Sequence, residues 1–153
     1  MIELTQMNDP VAVLKKDHRD IKHLFKEFEK ADGRSYHRLS NEVFELLEAH
    51  NEVEESIFYP MIRATLPNEF IIEEGLEEHH VIRMLIDELK AMDEIDIHFE
   101  AKFKVLSENC EHHFEEEEEK MFPKASKLDP DLRAAIAEAM QIKKEELLAS
   151  AAT

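Results

Sequence analysis

Two stretches of the chain carry nearly the same chemistry. His50-Asn51-Glu52-Val53-Glu54-Glu55-Ser56-Ile57-Phe58-Tyr59-Pro60 is answered by His113-Phe114-Glu115-Glu116-Glu117-Glu118-Glu119-Lys120-Met121-Phe122-Pro123. Both read His-x-x-x-Glu-Glu-x-x-apolar-aromatic-Pro. Residues four apart lie on one face of an α-helix, one above the other. His50 with Glu54, and His113 with Glu117, therefore each present an imidazole beside a carboxylate. Each stretch closes on a proline, which kinks or stops a helix because it lacks the backbone N–H.

Two more histidines belong to the same pattern. Asp17-His18 is followed by Ile21, Leu24, Phe25 and Phe28, and Glu78-His79 by Ile82, Leu85, Ile86 and Leu89, with identical offsets from each histidine. His18 and His79 are 61 residues apart, and His50 and His113 are 63 apart. A fixed period of this kind marks a duplicated supersecondary unit. The unit is one helix carrying a His, then a second carrying His-x-x-x-Glu.

The elements that must position these residues follow from hydrophobic spacing. Asn8-Asp9-Pro10 starts helix 1, with Asp9 as cap and Pro10 at the first helical position. Its stripe is Val11, Leu14, Ile21, Phe25 and Phe28, and His18 fills the gap. Asp32-Gly33 ends that helix, and Ser35 can cap helix 2. The second stripe runs Leu39, Val43, Leu46, His50, Val53, Glu54, Ile57 and Met61. Thr65-Leu66-Pro67-Asn68 reads as the turn into helix 3, whose stripe is Ile72, Gly75, His79, Ile82, Ile86 and Leu89. Asp93 or Asp96 can cap helix 4, with Phe99, Phe103, Leu106, Cys110, His113, Glu117 and Met121 on one side. Asp129-Pro130 starts a shorter, Ala-rich fifth helix, with Leu132, Ile136, Met140 and Leu147 toward the core.

Alternating steps of three and four, with short loops, predict an all-α fold: an up-down-up-down antiparallel four-helix bundle with an additional C-terminal helix. Two glycines and five prolines in 153 residues agree with long helices. We expect a single domain over 1–153, with the bundle over about 9–123 and the last helix over about 130–149.

Composition narrows the function. No run of 18 apolar residues exists, so no membrane span is expected. Met1 to Pro10 has neither a basic region nor an apolar stretch and does not read as a signal peptide. One cysteine forms no internal disulfide, and a reducing cytoplasm is the expected location. A net charge of −17 repels phosphate backbones and anionic membranes, so neither nucleic acid nor membrane is an expected partner. Oligomeric state stays open.

A lone buried histidine is ordinarily a hydrogen-bonded core residue. A glutamate inside an apolar stripe is harder to explain, because a buried carboxylate is costly unless paired or bound to metal. Six such residues from four helices, related by a repeat, point to a metal site in the bundle core. The set is too large for one tetrahedral zinc and suits two first-row metals, iron first. Glu54 and Glu117 would bridge the ions, with the imidazoles terminal. Two divalent ions and two carboxylates would leave positive charge for a bridging oxo or hydroxo group or another small anion.

On these residues the chain resembles the hemerythrin-like (HHE cation-binding) family over about Asp9 to Pro123. The resemblance implies a non-haem di-iron centre in a four-helix bundle, handling oxygen, nitric oxide or iron. Carried over by position, the ligands would be His18, His50, Glu54, His79, His113 and Glu117. Oxygen-carrying members have a further His one turn before the third-helix His, where this chain has Gly75. They also pair the last-helix His with an Asp five residues on, where this chain offers Glu117 four residues on, or Glu118. The broader bacterial group is the better match.

Other candidates are weighed beside these six. The repeat selects His79 over His80, and the distance to Pro123 selects His113 over His112. His23, His37 and His98 lie off the stripes and read as surface. Tyr59, Cys110 and Gly75 are candidates for the surroundings of the site, Gly75 leaving space where a carrier has a side chain. The run Glu115 to Glu119 reads as a solvated face apart from Glu117. The leading expectation is a di-iron protein binding a small diatomic ligand, oxygen or nitric oxide, for sensing, storage or detoxification. The alternatives are a di-iron enzyme or repair factor acting on peroxide or nitric oxide, and a bundle whose metals are structural and whose fifth helix meets a partner.

Overall fold

A computed structural model describes residues 7–66 and 70–152. Helix α1 spans Pro10–Lys30. Helix α2 is built of Tyr36–Val53, a π-helical turn Glu54–Phe58 and Tyr59–Thr65. Helix α3 spans Phe70–Lys90. Helix α4 is built of Ile97–Glu116, a second π-helical turn Glu117–Met121 and Phe122–Ala125. Helix α5 spans Pro130–Ala151. There is no strand among the described residues, and none of the described helices is long and apolar enough to cross a membrane.

The start signals act as their chemistry requires. The Asp9, Asp96 and Asp129 carboxylates accept from the backbone N–H of Val11, His98 and Leu132, satisfying donors that the first turn leaves orphaned. Asp96, and not Asp93, caps α4. Ser35 does not cap α2. It already sits in helical backbone, within a 3-10 turn over Gly33–Ser35, and the extended Asp32 accepts from Arg34 N–H instead. Within the expected turn Thr65-Leu66-Pro67-Asn68, Pro67 and Asn68 lie outside the described residues.

Two apolar layers sandwich a polar one. One layer holds Ile21, Phe25, Phe28, Val43, Leu47, Ile82, Ile86, Phe99, Phe103 and Leu106. The other holds Val11, Leu14, Val53, Phe58, Ile62, Ile72, Met121 and Phe122. Helices α1 and α3 run from the second layer to the first, and α2 and α4 run the opposite way. This alternation is the up-down-up-down order. Helix α5 packs across α1 and α2 and adds Ala137 and Met140 to the second layer.

The prolines neither stop nor simply kink their helices. Tyr59 N–H bonds to the Glu54 carbonyl and Phe122 N–H to the Glu117 carbonyl, five residues back. An α-helical Pro60 or Pro123 would press its ring against the carbonyl four residues earlier. The wider π turn immediately before each proline relieves that clash, and each helix continues. The extra residue also shifts the register. Ile57, placed inward by uniform α spacing, is only half-buried, whereas Phe58, Tyr59 and Ile62 are buried.

Phe103 lies in the layer remote from the π turns, stacked on Phe28 at 3.9 Å and edge-on to Phe25. Truncating it to alanine should cost about 3–5 kcal/mol and lower Tm by on the order of 10 °C, while metal content stays unchanged. Thermal denaturation with metal analysis checks this; equal loss of metal would show that the two layers do not act independently.

Candidate metal centre

The polar layer is made by the six predicted side chains. His18, His50, Glu54, His79, His113 and Glu117 are all buried, none more than 2% exposed. They converge as two sets, His18 with His50, and His79 with His113, each joined by Glu54 and Glu117. Within each set one ligand atom per residue lies within 4.8 Å of the others. The two carboxylates are common to both sets because each π turn begins at one of them, at the centre of the bundle.

The first set is short of partners. His18 Nε2, His50 Nε2, Glu54 Oε2 and Glu117 Oε1 are buried and have no hydrogen bond. His18 Nε2 lies 3.2 Å from Glu117 Oε1, and His50 Nε2 lies 3.4 Å from Glu54 Oε2. Buried polar atoms are otherwise nearly always satisfied. Four of them converging, two nitrogen and two oxygen, are the donor set of a borderline-soft cation. In the second set His79 Nε2 and His113 Nε2 stand 3.1 Å apart, and His79 Nε2 is 2.9 Å from Glu54 Oε1.

Four outer carboxylates decide which way the imidazoles present their lone pairs. His50 Nδ1 meets Asp17 at 2.8 Å, His79 Nδ1 meets Glu55 at 2.7 Å, His113 Nδ1 meets Glu78 at 2.5 Å and His18 Nδ1 meets Glu118 at 2.7 Å. A carboxylate only accepts, so each Nδ1 carries the proton and each Nε2 of a neutral ring offers a lone pair inward. The bonds close a circle: α1 holds α2, α2 holds α3, α3 holds α4, and α4 holds α1. Sequence reasoning gave Asp17, Glu55 and Glu78 no role, and named Glu118 only as an alternative ligand to Glu117 while counting its run as a solvated face. The available signal was adjacency, since each outer acid neighbours an inner residue: Asp17-His18, Glu54-Glu55, Glu78-His79, Glu117-Glu118.

The electrostatics is that of a cation sink. Burial acts against charge on His50, but Glu54 and Asp17 outweigh it and raise its pKa to about 10. His79 and His113 are raised by neighbouring carboxylates against the same burial. Burial would raise Glu54, yet His50, His113 and His79 hold it well below the usual carboxylate range. Without metal, protons take the place of the cation. Asp17 is lowered despite burial by His50 and by Lys144, whose ammonium bonds its other oxygen from α5.

The remaining candidates fall into two groups. Tyr59 is at the centre: its hydroxyl donates to Glu117 Oε2 at 2.7 Å, with Glu54 Oε1 at 3.2 Å and His79 Nε2 at 3.4 Å. The space expected beside Gly75 is not empty. A Cβ there would come within 2.9 Å of the Tyr59 oxygen, because the π turn has swung that ring over the glycine. Cys110 belongs to the apolar layer, and burial pushes its thiol up, away from the thiolate that ligates metal. His23, His37, His80, His98 and His112 are exposed, and His112 pairs at the surface with Glu116.

The chain matches the family described as Hemerythrin HHE cation binding domain over residues 9–125. The fold resembles the crystal structure of a hemerythrin HHE cation-binding domain-containing protein from Mycobacterium kansasii. That match has a TM-score of 0.82 and 24% identity, covering 94% of this chain and 90% of the other. A DNA nickase of Nostoc sp. is 25% identical over 111 residues, which is 72% of this chain and 31% of that protein. The chain thus spans about a third of the nickase's length.

The raised imidazoles fix a pH signature for the metal-free protein. Their contribution to stability is fully present below their ordinary pKa of 6.5 and is lost as pH rises toward about 10, where His50 titrates. The Glu54 contribution runs the other way, present above 4.5 and lost in acid. Metal-free protein should therefore lose Tm, by on the order of 5 °C, between pH 6.5 and pH 10. Metal-loaded protein should not, since its ligating imidazoles are already neutral. Thermal melts of both forms across this range are the test; a flat or rising metal-free curve contradicts the assignment.

Proposed function

This chain belongs to the hemerythrin HHE cation-binding domain family and is a metal-binding protein, and we propose that it holds two irons and binds a small diatomic ligand, oxygen or nitric oxide, for sensing, storage or detoxification. One observation carries this reading: two buried histidine pairs share the same two carboxylates. In this reading His18 and His50 would hold one iron, His79 and His113 the other, and Glu54 and Glu117 would serve both. A pair of irons held there would supply electrons and open coordination for such a ligand. The residues bind through Nε2 and carboxylate oxygens, and the outer acids orient the rings. His18 is stacked on Phe114 at 4.0 Å and on Phe122 at 5.6 Å, and these rings would screen a metal held by His18 from water.

Nicking is an activity of the Nostoc protein, most of whose length has no counterpart here. A net charge of −17 also argues against approach to a phosphate backbone.

Purified chain should carry two irons, and Glu54→Ala or Glu117→Ala should lose one or both. His80→Ala and His112→Ala should retain them. Asp17→Asn should weaken iron binding by about 10–100-fold, as loss of an imidazole-orienting carboxylate does elsewhere. The function itself is tested by adding oxygen or nitric oxide anaerobically to the di-ferrous protein and following optical and Mössbauer spectra. A spectral change with either gas is expected. No change with both would leave the metals a structural role, and repeated consumption of nitric oxide or peroxide would make the protein an enzyme.

A further inference from the structure

The internal duplication pairs the outer acids, and the members of a pair differ in what stands behind them. Asp17 precedes His18 as Glu78 precedes His79, and each reaches the histidine of the following helix, His50 or His113. Behind Glu78 stands His112, an exposed ring whose Nε2 lies 3.7 Å from the acid's other oxygen. Behind Asp17 stands an ammonium: Lys144 donates to Oδ1, while Oδ2 accepts from His50 Nδ1. The surroundings differ as well. The Asp17 side chain is 2% exposed and that of Lys144 20%, whereas Arg83, the cation on Glu55, is 52% exposed. Water and salt screen a pair such as Arg83 and Glu55. They screen Lys144 and Asp17 far less.

Docking α5 does not require that contact. Ala137 and Met140 already bury one side of the helix in the second apolar layer, and setting a lysine against a buried carboxylate costs desolvation. What the contact changes is the charge felt by His50. A carboxylate alone on the Nδ1–H pushes electron density into the ring and makes Nε2 a stronger donor. A carboxylate shared with an ammonium does so less, and its charge is offset in a layer where charges interact strongly. We propose that Lys144 is a positioning residue for the half-site of His18 and His50: through Asp17 it holds the His50 ring and weakens its donation, so that an iron held there favours the ferrous state and takes the first electron when the pair is reduced. This rests on the di-iron reading above. The electron enters with no bond of the protein made or broken. Lys144 lies on α5, outside the duplicated unit. The added helix therefore sets the order in which two duplicated sites are reduced.

The test is spectroelectrochemical titration of the full chain loaded with iron, which reads two one-electron midpoints. Lys144→Met should lower the higher midpoint, shifting the ferric-to-ferrous ratio at fixed potential by about tenfold, the lower end of what an outer partner does to a metal site. The lower midpoint should move less. Lys144→Arg, which keeps the charge, should restore the wild-type value. Lys144→Gln keeps a hydrogen-bond donor without the charge; it should behave as Lys144→Met does, and it replaces that variant where the latter does not fold. In an Asp17→Asn background loaded to two irons, Lys144→Met should leave both midpoints nearly unmoved, because the lysine acts through the carboxylate. A lysine that only docks α5 would lower Tm in Lys144→Met and Lys144→Gln with both midpoints unchanged, and that result overturns the proposal. A fall that Lys144→Arg does not restore, or that persists in full with Asp17→Asn, overturns it equally. Fewer than two irons in the wild type would instead overturn the di-iron reading, and this inference with it.

Discussion

Everything in the bundle depends on how charge is compensated at its middle. Two carboxylates and four imidazoles are buried between apolar layers, where an uncompensated charge would cost several kcal/mol. The circle of Nδ1–carboxylate bonds resolves half of that problem by fixing each ring and turning its lone pair inward. It also ties every helix of the bundle to the next by a charge-assisted bond, stronger than a neutral one. The other half is resolved only by cations. His79 Nε2 and His113 Nε2 face each other at 3.1 Å with their protons committed to Glu55 and Glu78. Two lone pairs so placed repel unless a proton or a metal sits between the rings. The folded state and the metal-loaded state are in that sense one design.

The outer acids change the charge accounting that the ligands alone suggest. Glu54 and Glu117 by themselves would leave two divalent ions with positive charge to spare. Asp17, Glu55, Glu78 and Glu118 add negative charge one layer out, offset in part by Lys144 on Asp17 and Arg83 on Glu55. Asp17 is the most enclosed of the four, and its cation comes from α5. The fifth helix thereby reaches the centre through a chain of two bonds, Lys144 to Asp17 to His50. Its attachment is polar as well as apolar, since the Gln141 amide also donates to the Met7 carbonyl and accepts from the Met7 N–H.

Much of this was legible before any coordinates, and the reasons are physical. A bundle helix must keep one face apolar, so a polar residue on that face stands out by spacing alone, and a repeat shows which polar residues act together. His18, His50, Glu54, His79, His113 and Glu117 were visible for this reason, as were four antiparallel helices and a fifth, although the fifth was expected to be shorter than its 22 residues and to bury Leu132, which is exposed. The π turns were not. Their signal was a proline after a helical pattern that did not break, which reads equally as a kink or a stop. Because one inserted residue rotates all that follows, the error carried to Ile57, which was placed inward and is only half-buried, while Tyr59 was named only as a candidate for the surroundings of the site. The outer acids were hidden for a different reason. Glu118 and its neighbours look like any solvated run, and only the placement of the facing helix distinguishes an acid that reaches a ring from one that reaches water.

The same two π turns make the site and break its symmetry. Each begins at a carboxylate common to both clusters and ends at an aromatic residue, so each delivers a Glu and an aromatic ring to one half-site. Uniform α geometry would separate those two side chains by about 500° of rotation over five residues, nearly half a turn out of phase. The wider turn brings them back into phase, and this is a physical reason for π turns to occur at ligand-bearing positions. Once the aromatic residue faces the centre, its chemistry matters. A phenyl at 122 only excludes water, whereas a phenol at 59 contributes a polar oxygen within reach of both carboxylates. Duplication supplies two equal half-sites, and a single hydroxyl, admitted by the absence of a side chain at Gly75, makes them unequal.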